Sequence, residues 1–352
     1  MACERILEEK YLGIDLIEND FTQDHCKFST PLHEAIILNN IEMVKLLLQQ
    51  GAEIEAKNQN SYTPLLLASY HNRIEIMEIL LNHGANVHAK VTSFSNSLLY
   101  TAICQNHTKL AKMMILHGAN VNEGIIYYNE TPLHAAVNRD NEDMVKILIE
   151  NGANLNAKDC HEETPLFYAM RRNHTEIIKL LLFNGASANC KSDEYGRTAL
   201  HLAICSLNEE VIRLLIENGA DVNATNNFNE DPLSSALDKN LLEISKLLIS
   251  KGANVSHRGY EGVPPIFEAI WGGHIEMVET MIKHGANLNA ADDFDYLPLH
   301  AALDKRRNDL IRILVENGAA IDIKKPTKLA PVESVLRSHR MDEFKVMTYN
   351  KK

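Results

Sequence analysis

One short block of residues returns along this chain at an almost constant interval, and that interval leaves few folds open. The block is clearest in Thr131-Pro132-Leu133-His134, and its first position recurs every 33 or 34 residues. Its copies begin at Thr30, Thr63, Ser97, Thr131, Thr164, Thr198, Asp231, Pro264, Leu297 and Ala330. In the first nine copies a Gly-Ala pair follows 21 residues after the block. Self-similarity at such a period is typical of stacked structural repeats.

Each unit carries the start and stop signals of two helices. Thr131 is suited to cap a helix N-terminus, and Pro132 fits the first helical position, where its missing N–H costs nothing. A break at Asp140 is followed by a second apolar run at helical spacing, which stops at Gly152. Asparagine is predicted to fill the turn between the helices at Asn39, Asn72, Asn106, Asn173 and Asn240. Each unit is therefore predicted to be helix, turn, helix, loop.

The T-P-L-H-x-A-A block, the turn within each unit, and the L-L-x-x-G-A and V-N-A segments resemble ankyrin repeats. The resemblance implies an all-α ankyrin-repeat solenoid of helix-turn-helix units with hairpin-like finger loops. It places an N-terminal capping half-repeat in residues 1–29, nine repeats in residues 30–329 and a C-terminal capping repeat in residues 330–352. The end units of such a stack need an altered outer face, which agrees with their atypical sequences.

Composition argues against several kinds of partner and location. The formal charge is -12, whereas nucleic-acid binding needs a concentrated basic face. No run of 18 apolar residues occurs, and no secretory signal pattern follows Met1, so we expect no membrane insertion. The six cysteines share no C-x-x-C spacing and are interpreted as free thiols. We expect a cytoplasmic monomer, with the nucleus, or a host cytosol for a microbial or viral protein, as the alternatives.

The histidines do not predict an enzyme or a metal site. Of the sixteen, His33, His134, His201 and His300 are the fourth letter of the block, where the resemblance implies a structural role that ties adjacent units together. The sequence contains no H-E-x-x-H, paired C-x-x-C, G-x-S-x-G or Walker-type motif. We therefore predict no catalytic residues, no metal and no cofactor.

The repeat register predicts which side chains are free for recognition. If the first letter of the block is position zero, positions minus four, minus three and minus one lie on the finger, and these are positions through which ankyrin repeats usually contact partners. The finger aromatics are Phe94, Tyr128, Tyr195, Phe228 and Phe294 at minus three, Tyr127 and Tyr260 at minus four, and Tyr62 and Tyr296 at minus one. Rigid rings bury much area at small entropic cost, which favours a binding stripe. The alternative is that rings on adjacent fingers pack on one another and only stiffen the loops.

Positions seven and eight end the first helix on the surface that we call the palm. Basic residues fall there at Arg139, Arg171, Arg172, Lys239 and Lys305, and aromatic residues at Tyr70 and Trp271. A broken basic strip favours an extended acidic segment of a partner, because arginine binds carboxylates bidentately. The alternative is that these charges are simply solvated. Trp271, the only tryptophan, is predicted to be the strongest single anchor, unless it packs on the neighbouring finger.

We interpret the chain as a non-catalytic scaffold or adaptor that binds a protein partner through fingers and palm. An alternative is a substrate-recruiting subunit, or an effector, acting with a ubiquitin ligase; only three residues follow the tenth unit, which counts against the appended box that such proteins carry. A toxin or channel fragment is a third class. Asn122, Asn156, Asn223 and Asn289 also match the asparagine that hydroxylases modify in many ankyrin repeats, although the structural role, in which asparagine satisfies the turn backbone, is sufficient and is favoured.

Overall fold

The computed structural model describes residues 29–90, 97–125, 128–192 and 195–321. Within these residues the protein consists of nine helix pairs, one for each predicted unit, and the all-α fold class is confirmed. The predicted N-terminal capping half-repeat, apart from its last residue, and the predicted C-terminal capping repeat lie outside the described residues, as do Phe94 and Tyr127. The extents of these caps stay predictions.

The chain divides into two compact units, residues 1–187 and 188–352. Unit 1 contains five described helix pairs. Neighbouring pairs pack on one another through their first helices, except that the second and third pairs contact mainly through their second helices. Its helices are α1 (Pro31–Ile37), α2 (Ile41–Gln49), α3 (Pro64–Tyr70), α4 (Ile74–Asn82), α5 (Leu98–Cys104), α6 (Thr108–Leu116), α7 (Pro132–Asn138), α8 (Glu142–Glu150), α9 (Pro165–Arg172) and α10 (Thr175–Phe183).

Unit 2 contains four described helix pairs, which pack on one another through their first helices. Its helices are α11 (Ala199–Cys205), α12 (Glu209–Glu217), α13 (Pro232–Asp238), α14 (Leu242–Ser250), α15 (Pro265–Gly272), α16 (Ile275–Lys283), α17 (Pro298–Asp304) and α18 (Asn308–Glu316). A short hairpin precedes α11: β1 (Lys191–Ser192) pairs antiparallel with β2 (Arg197–Thr198), with Lys191 opposite Thr198. A single 3₁₀ turn, Tyr260–Gly262, precedes α15.

The helix ends lie where the start and stop signals predict. The Thr63 hydroxyl accepts a hydrogen bond from the backbone N–H of Leu66, and Pro64 opens α3. Asn39, Asn72, Asn106, Asn173 and Asn240 all adopt positive φ in the turn between the two helices, as predicted. The glycine of every described Gly-Ala pair also has positive φ, from 79° at Gly51 to 95° at Gly318. These left-handed positions are local, so one repeat's sequence suffices to set them.

The core consists of the apolar faces of both helices in every repeat. Leu133 and Leu200, each at the third position of the block, have no accessible surface, and Phe167 and Phe267 are the largest fully buried side chains. The stacked faces therefore supply the burial that holds neighbouring repeats together.

In the described residues, no helix is both long enough and apolar enough to cross a membrane.

The block histidines join one repeat to the next, as predicted. In repeat 4, Nδ1 of His134 lies 2.9 Å from the Thr131 hydroxyl, and Nε2 lies 3.2 Å from the carbonyl oxygen of Glu163 in the following repeat. His33 and His201 make the same pair of contacts, with the carbonyl groups of Tyr62 and Glu230 as their partners in the next repeat. The buried ring thus bridges two repeats.

Repeat 7 departs from this arrangement. Asp231 and Ser234 stand where repeats 1, 4 and 6 have threonine and histidine. Asp231 is 4% exposed, and among the described residues its Oδ2 atom and the Ser234 hydroxyl oxygen have no hydrogen-bond partner. The nearest opposite charge to Oδ2 is Nε2 of His257 in the next finger, at 3.9 Å, which is longer than a hydrogen bond. Burial raises the pKa of Asp231 despite the backbone N–H of Ser234 that its carboxylate accepts. A buried polar atom without a partner is destabilising, so the junction between repeats 7 and 8 is weakened.

Restoring the consensus pair is expected to strengthen this junction. The double substitution Asp231→Thr with Ser234→His should raise the free energy of unfolding by about 1–3 kcal/mol, because it removes two orphaned atoms and supplies the bridging ring. Urea denaturation followed by circular dichroism measures the change. The reciprocal exchange in repeat 6, Thr198→Asp with His201→Ser, should destabilise by a similar amount. A restored repeat 7 that unfolds at lower urea than wild type would contradict the explanation.

Candidate recognition surface

Four of the described finger loops are each shaped by one side chain at the base of the loop. In repeat 7 the Asn226 side-chain oxygen accepts hydrogen bonds from the backbone N–H groups of Phe228, at 2.9 Å, and Glu230, at 3.0 Å. The same two bonds are made by Asn58, Asp159 and Asp292 in their own fingers. A side chain that accepts two backbone N–H groups holds a tight turn. The residue at minus three, where the aromatics occur, is therefore held at the tip of a defined turn.

Backbone hydrogen bonds link neighbouring fingers. The N–H of Cys160 donates to the carbonyl of Tyr128 at 2.7 Å in unit 1. In unit 2, Asn227 donates to Tyr195 at 2.8 Å, and Asp293 donates to Glu261 at 3.0 Å. The side chains of Asn129 and Asn229 add a further bond to the next finger in each unit. Because these hydrogen bonds already order the fingers, the finger backbone loses little conformational entropy when a partner binds.

The finger aromatics lie on the surface. Tyr128 is exposed in unit 1, and Tyr195, Phe228, Tyr260 and Phe294 are exposed in unit 2, with Phe294 reaching 73%. Tyr195 and Phe228 stack with their ring centroids 6.1 Å apart, and the Arg197 guanidinium lies 5.1 Å from the Tyr195 ring centroid. Some rings therefore pack on one another, as the alternative interpretation held, yet still offer accessible area. We call Tyr195, Phe228, Tyr260 and Phe294 the finger ridge.

The palm of unit 1 is only partly a free basic strip. Arg139 and Arg172 are exposed. Arg171 instead pairs with the buried Glu163 and lies over the Tyr168 ring at 5.5 Å. Tyr70 packs edge-on against Tyr62, with centroids 5.7 Å apart, and remains exposed. An open polar depression adjoins Arg139, lined also by Asn106, Thr108 and the turn residues 140–143.

The palm of unit 2 centres on Trp271, which is 39% exposed. Its ring packs against Phe267 at a centroid distance of 5.5 Å, and Phe267 in turn lies 6.3 Å from Tyr296 of the next finger. Trp271 is thus anchored within its own repeat and still accessible. Lys239 lies on the preceding repeat, 3.0 Å from Asp238, and Lys305 is exposed on the following one.

A buried network of carboxylates and phenols lies beneath the unit 1 palm, and the sequence analysis did not predict it. Tyr100 donates to Glu130 at 2.6 Å, and the Tyr168 hydroxyl lies 2.8 Å from Glu130 and 2.9 Å from Asp159. Burial raises the pKa of both tyrosines well above its usual range. Burial also raises the pKa of the Cys104 thiol to about 11, so this thiol is not activated as a nucleophile. The sequence feature that could have indicated this network is Tyr100, which stands at the histidine position of its block.

The V-N-A asparagines join neighbouring loops. The Asn122 side chain donates to the Gly152 carbonyl at 3.0 Å and accepts from the Asn154 N–H at 2.7 Å. Asn223 and Asn289 make the same two kinds of bond to the loop that follows each of them, and Asn156 accepts from the Ser187 N–H. The structural explanation of these residues is sufficient. Their hydroxylation stays a prediction.

Among the residues described, no group of three or more histidine, cysteine or acidic side chains is placed to hold a metal ion. Family comparison agrees with the geometry: a model described as ankyrin repeats matches residues 10–91, 86–159, 158–226 and 233–325. The chain belongs to the ankyrin-repeat family. Ankyrin repeats form a protein-interaction fold that is not itself catalytic, so the coarse function is protein binding.

One solved ankyrin-repeat structure illustrates the likeness. It is the ankyrin repeat domain of Bcl-3, described as a unique member of the IkappaB protein family, and it is 27% identical to this chain with a TM-score of 0.52. The match covers 62% of this chain and 97% of that one. No curated protein sequence matches the chain.

Proposed function

We propose that this ankyrin-repeat protein is a non-catalytic adaptor or scaffold that binds a protein partner through its fingers and palm. The observation that carries the proposal is the finger ridge, four exposed aromatic side chains on turns held by hydrogen bonds. Aromatic residues on a rigid support are the usual hot spots of protein interfaces. The proposed contact residues in the described chain are Tyr70, Tyr128, Arg139, Arg171, Arg172, Tyr195, Phe228, Trp271 and Phe294.

The proposed role needs no membrane, metal or cofactor. Arg171 contributes less than Arg139 and Arg172, because its guanidinium is already paired with Glu163. The similarity to the Bcl-3 ankyrin domain supports the ankyrin-repeat fold and identifies no particular partner. In the described residues, nothing favours the ubiquitin-ligase alternative over a simple adaptor.

Affinity capture with matched variants tests the proposal. The finger variant changes Tyr128 and the four residues of the finger ridge to alanine. The control variant changes Leu116 and Phe183 to alanine. These residues are 85% and 74% exposed at the ends of α6 and α10, each the second helix of its pair. We expect cytosolic partners retained by wild type to be lost by the finger variant, with affinity falling at least about 100-fold, and to be kept by the control. Circular dichroism verifies that all three proteins fold.

If the finger and control variants retain the same proteins as wild type, the finger ridge is structural and the proposal fails. Loss in both variants would point instead to general surface hydrophobicity. Only selective loss in the finger variant supports recognition by this surface.

A further inference from the structure

The palm of unit 2 has a gap between two basic residues. Lys239, Gly272 and Lys305 occupy the same position in repeats 7, 8 and 9. Among the nine described repeats, Gly272 is the only glycine at this position. A Cβ atom on Gly272 would lie 2.3 Å from Nε2 of His274, so the ring of His274 occupies the adjoining space. The gap is therefore a missing lysine side chain and not an empty space. The His274 ring covers Gly272, and the Arg307 guanidinium, which donates to the Gly273 carbonyl at 3.1 Å, covers the next residue.

Two side chains of α15 adjoin this gap. Glu268 and Trp271 are three residues apart on one helix, a spacing that makes their side chains neighbours on one face. Trp271 keeps 39% of its surface accessible, although its ring packs on Phe267. Glu268 is half-buried on the same face. An accessible indole beside a half-buried carboxylate matches the chemistry of a cationic side chain.

Glu268 lacks a compensating cation in the free protein. Burial, and secondarily the like charge of Asp238 on α13, raises the pKa of Glu268 to about 7. Other ionisable groups near the palm end of the packed helices are Lys239, just after α13, and His274, just before α16. Asp304 ends α17, and Lys305, Arg306 and Arg307 follow it. Arg307 is engaged by the Gly273 carbonyl and by Asp309. Lys239 is engaged by Asp238 at 3.0 Å, and the Asp304 carboxylate accepts a hydrogen bond from the Tyr296 hydroxyl. Among the described residues, none forms an ion pair with Glu268.

We propose that Glu268 and Trp271, beside the side-chain-free Gly272, form a socket for one lysine or arginine side chain of an extended partner segment. The proposal rests on the proposed protein-binding function and names the chemistry of the partner. The cation lies on the indole and pairs with the Glu268 carboxylate, which removes the cost of its burial. Because Lys239 and Lys305 flank the socket, a run of basic residues is disfavoured, and carboxylates are favoured opposite these two lysines.

The spacing of the repeats gives the spacing of the partner's charges. Packed helices lie about 8–10 Å apart, and an extended chain advances about 3.3 Å per residue. One repeat therefore corresponds to about three residues of an extended peptide. The partner segment has an acidic residue about three positions before, and another about three positions after, the central lysine or arginine. The pattern is symmetric in charge, so it holds for either direction of the peptide.

The binding of this segment is coupled to a proton. The cation favours the ionised form of Glu268, so a carboxyl whose pKa is raised to about 7 in the free protein releases protons when the peptide binds near neutral pH. Affinity consequently rises as the pH increases from 6 to 8, through the pKa of the free carboxyl.

Synthetic peptides on a glycine-serine background test the socket with the full chain. The probe is a capped nine-residue peptide that contains the seven-residue pattern Glu-x-x-Arg-x-x-Glu. One comparison peptide replaces the arginine by glutamine, and a second exchanges the signs of all three charges. Binding is followed by the emission of Trp271, the only tryptophan in the chain. Calorimetry in two buffers of different ionisation enthalpy counts the protons released. We expect the probe to bind about tenfold more tightly than the glutamine peptide and far more tightly than the inverted one.

Two variants separate the socket from general electrostatics. Glu268→Gln should abolish the preference for arginine and the proton release, whereas Glu279→Gln, an equal charge change on the exposed surface of α16, should leave both unchanged. Glu268→Gln also removes an uncompensated buried charge, so it should fold at least as well as wild type. Equal binding of the inverted peptide, an arginine preference that survives Glu268→Gln, or no binding of the probe at about 1 mM would overturn the socket. Any of these results, together with selective loss of captured proteins in the finger variant, would leave the protein-binding function standing.

Discussion

Replacing Leu133 by alanine is expected to lower the free energy of unfolding by about 2–5 kcal/mol. Leu133 has no accessible surface and lies at the third position of the repeat 4 block, between the stacked first helices of unit 1. The substitution leaves a cavity that the neighbouring helices fill only in part. Because each repeat is stable only against its neighbours, adjacent repeats should loosen too. Urea denaturation gives the free energy, and amide hydrogen exchange shows how far the loosening extends.

A leucine on the surface provides the matched control. Leu116 is 85% exposed, so Leu116→Ala should change stability by less than about 0.5 kcal/mol. Leu200 holds the same block position in unit 2 with no accessible surface, and Leu200→Ala should behave as Leu133→Ala does. Unchanged denaturation midpoints for both core variants would show that the assigned register is wrong.

Acidification is expected to destabilise the protein because the bridging histidines are buried in their neutral form. Burial lowers the pKa of His134 to about 4, against 6.5 for an unperturbed histidine, and it also lowers the pKa of His33 and His201. Between these values the unfolded chain binds a proton that the folded chain excludes. Stability is therefore lost as the pH falls from about 6.5 towards 4, and His134 alone accounts for about 2 kcal/mol at pH 5.

Urea denaturation at pH 7.5 and at pH 5.0 measures this effect. His134→Gln should be less stable than wild type at pH 7.5 but should lose about 2 kcal/mol less than wild type on acidification. His83→Gln serves as the control, because His83 is exposed and bonds only within its own repeat, to the carbonyl of Ile79. A pH dependence that His134→Gln leaves intact would contradict the assignment of the effect to the bridging ring. Asp231 and Glu268 act in the opposite direction, since burial raises their pKa values.

Much of the recognition surface could be predicted from the repeat register alone. Position in the unit indicated that Phe228, Phe294 and Trp271 would be accessible, and all three are. The register could not indicate how each side chain would be engaged. Arg171 is paired with Glu163, eight residues earlier, and Tyr195 stacks on Phe228 of the next finger. Such pairings depend on which side chains two neighbouring repeats happen to bring together.

The structural use of the block histidine was implied by the resemblance to ankyrin repeats. The repeat sequence by itself determined the helix pairs and their boundaries. These features arise from local physics: an N-cap hydroxyl, a proline at the first helical position, a residue able to adopt positive φ, and apolar residues at helical spacing. Only the tertiary structure decided the Tyr100–Glu130–Tyr168 network, the orphaned carboxylate oxygen of Asp231 and the uncompensated charge of Glu268. Their energies come from burial and from contacts that stacking makes between repeats, and no single repeat contains them.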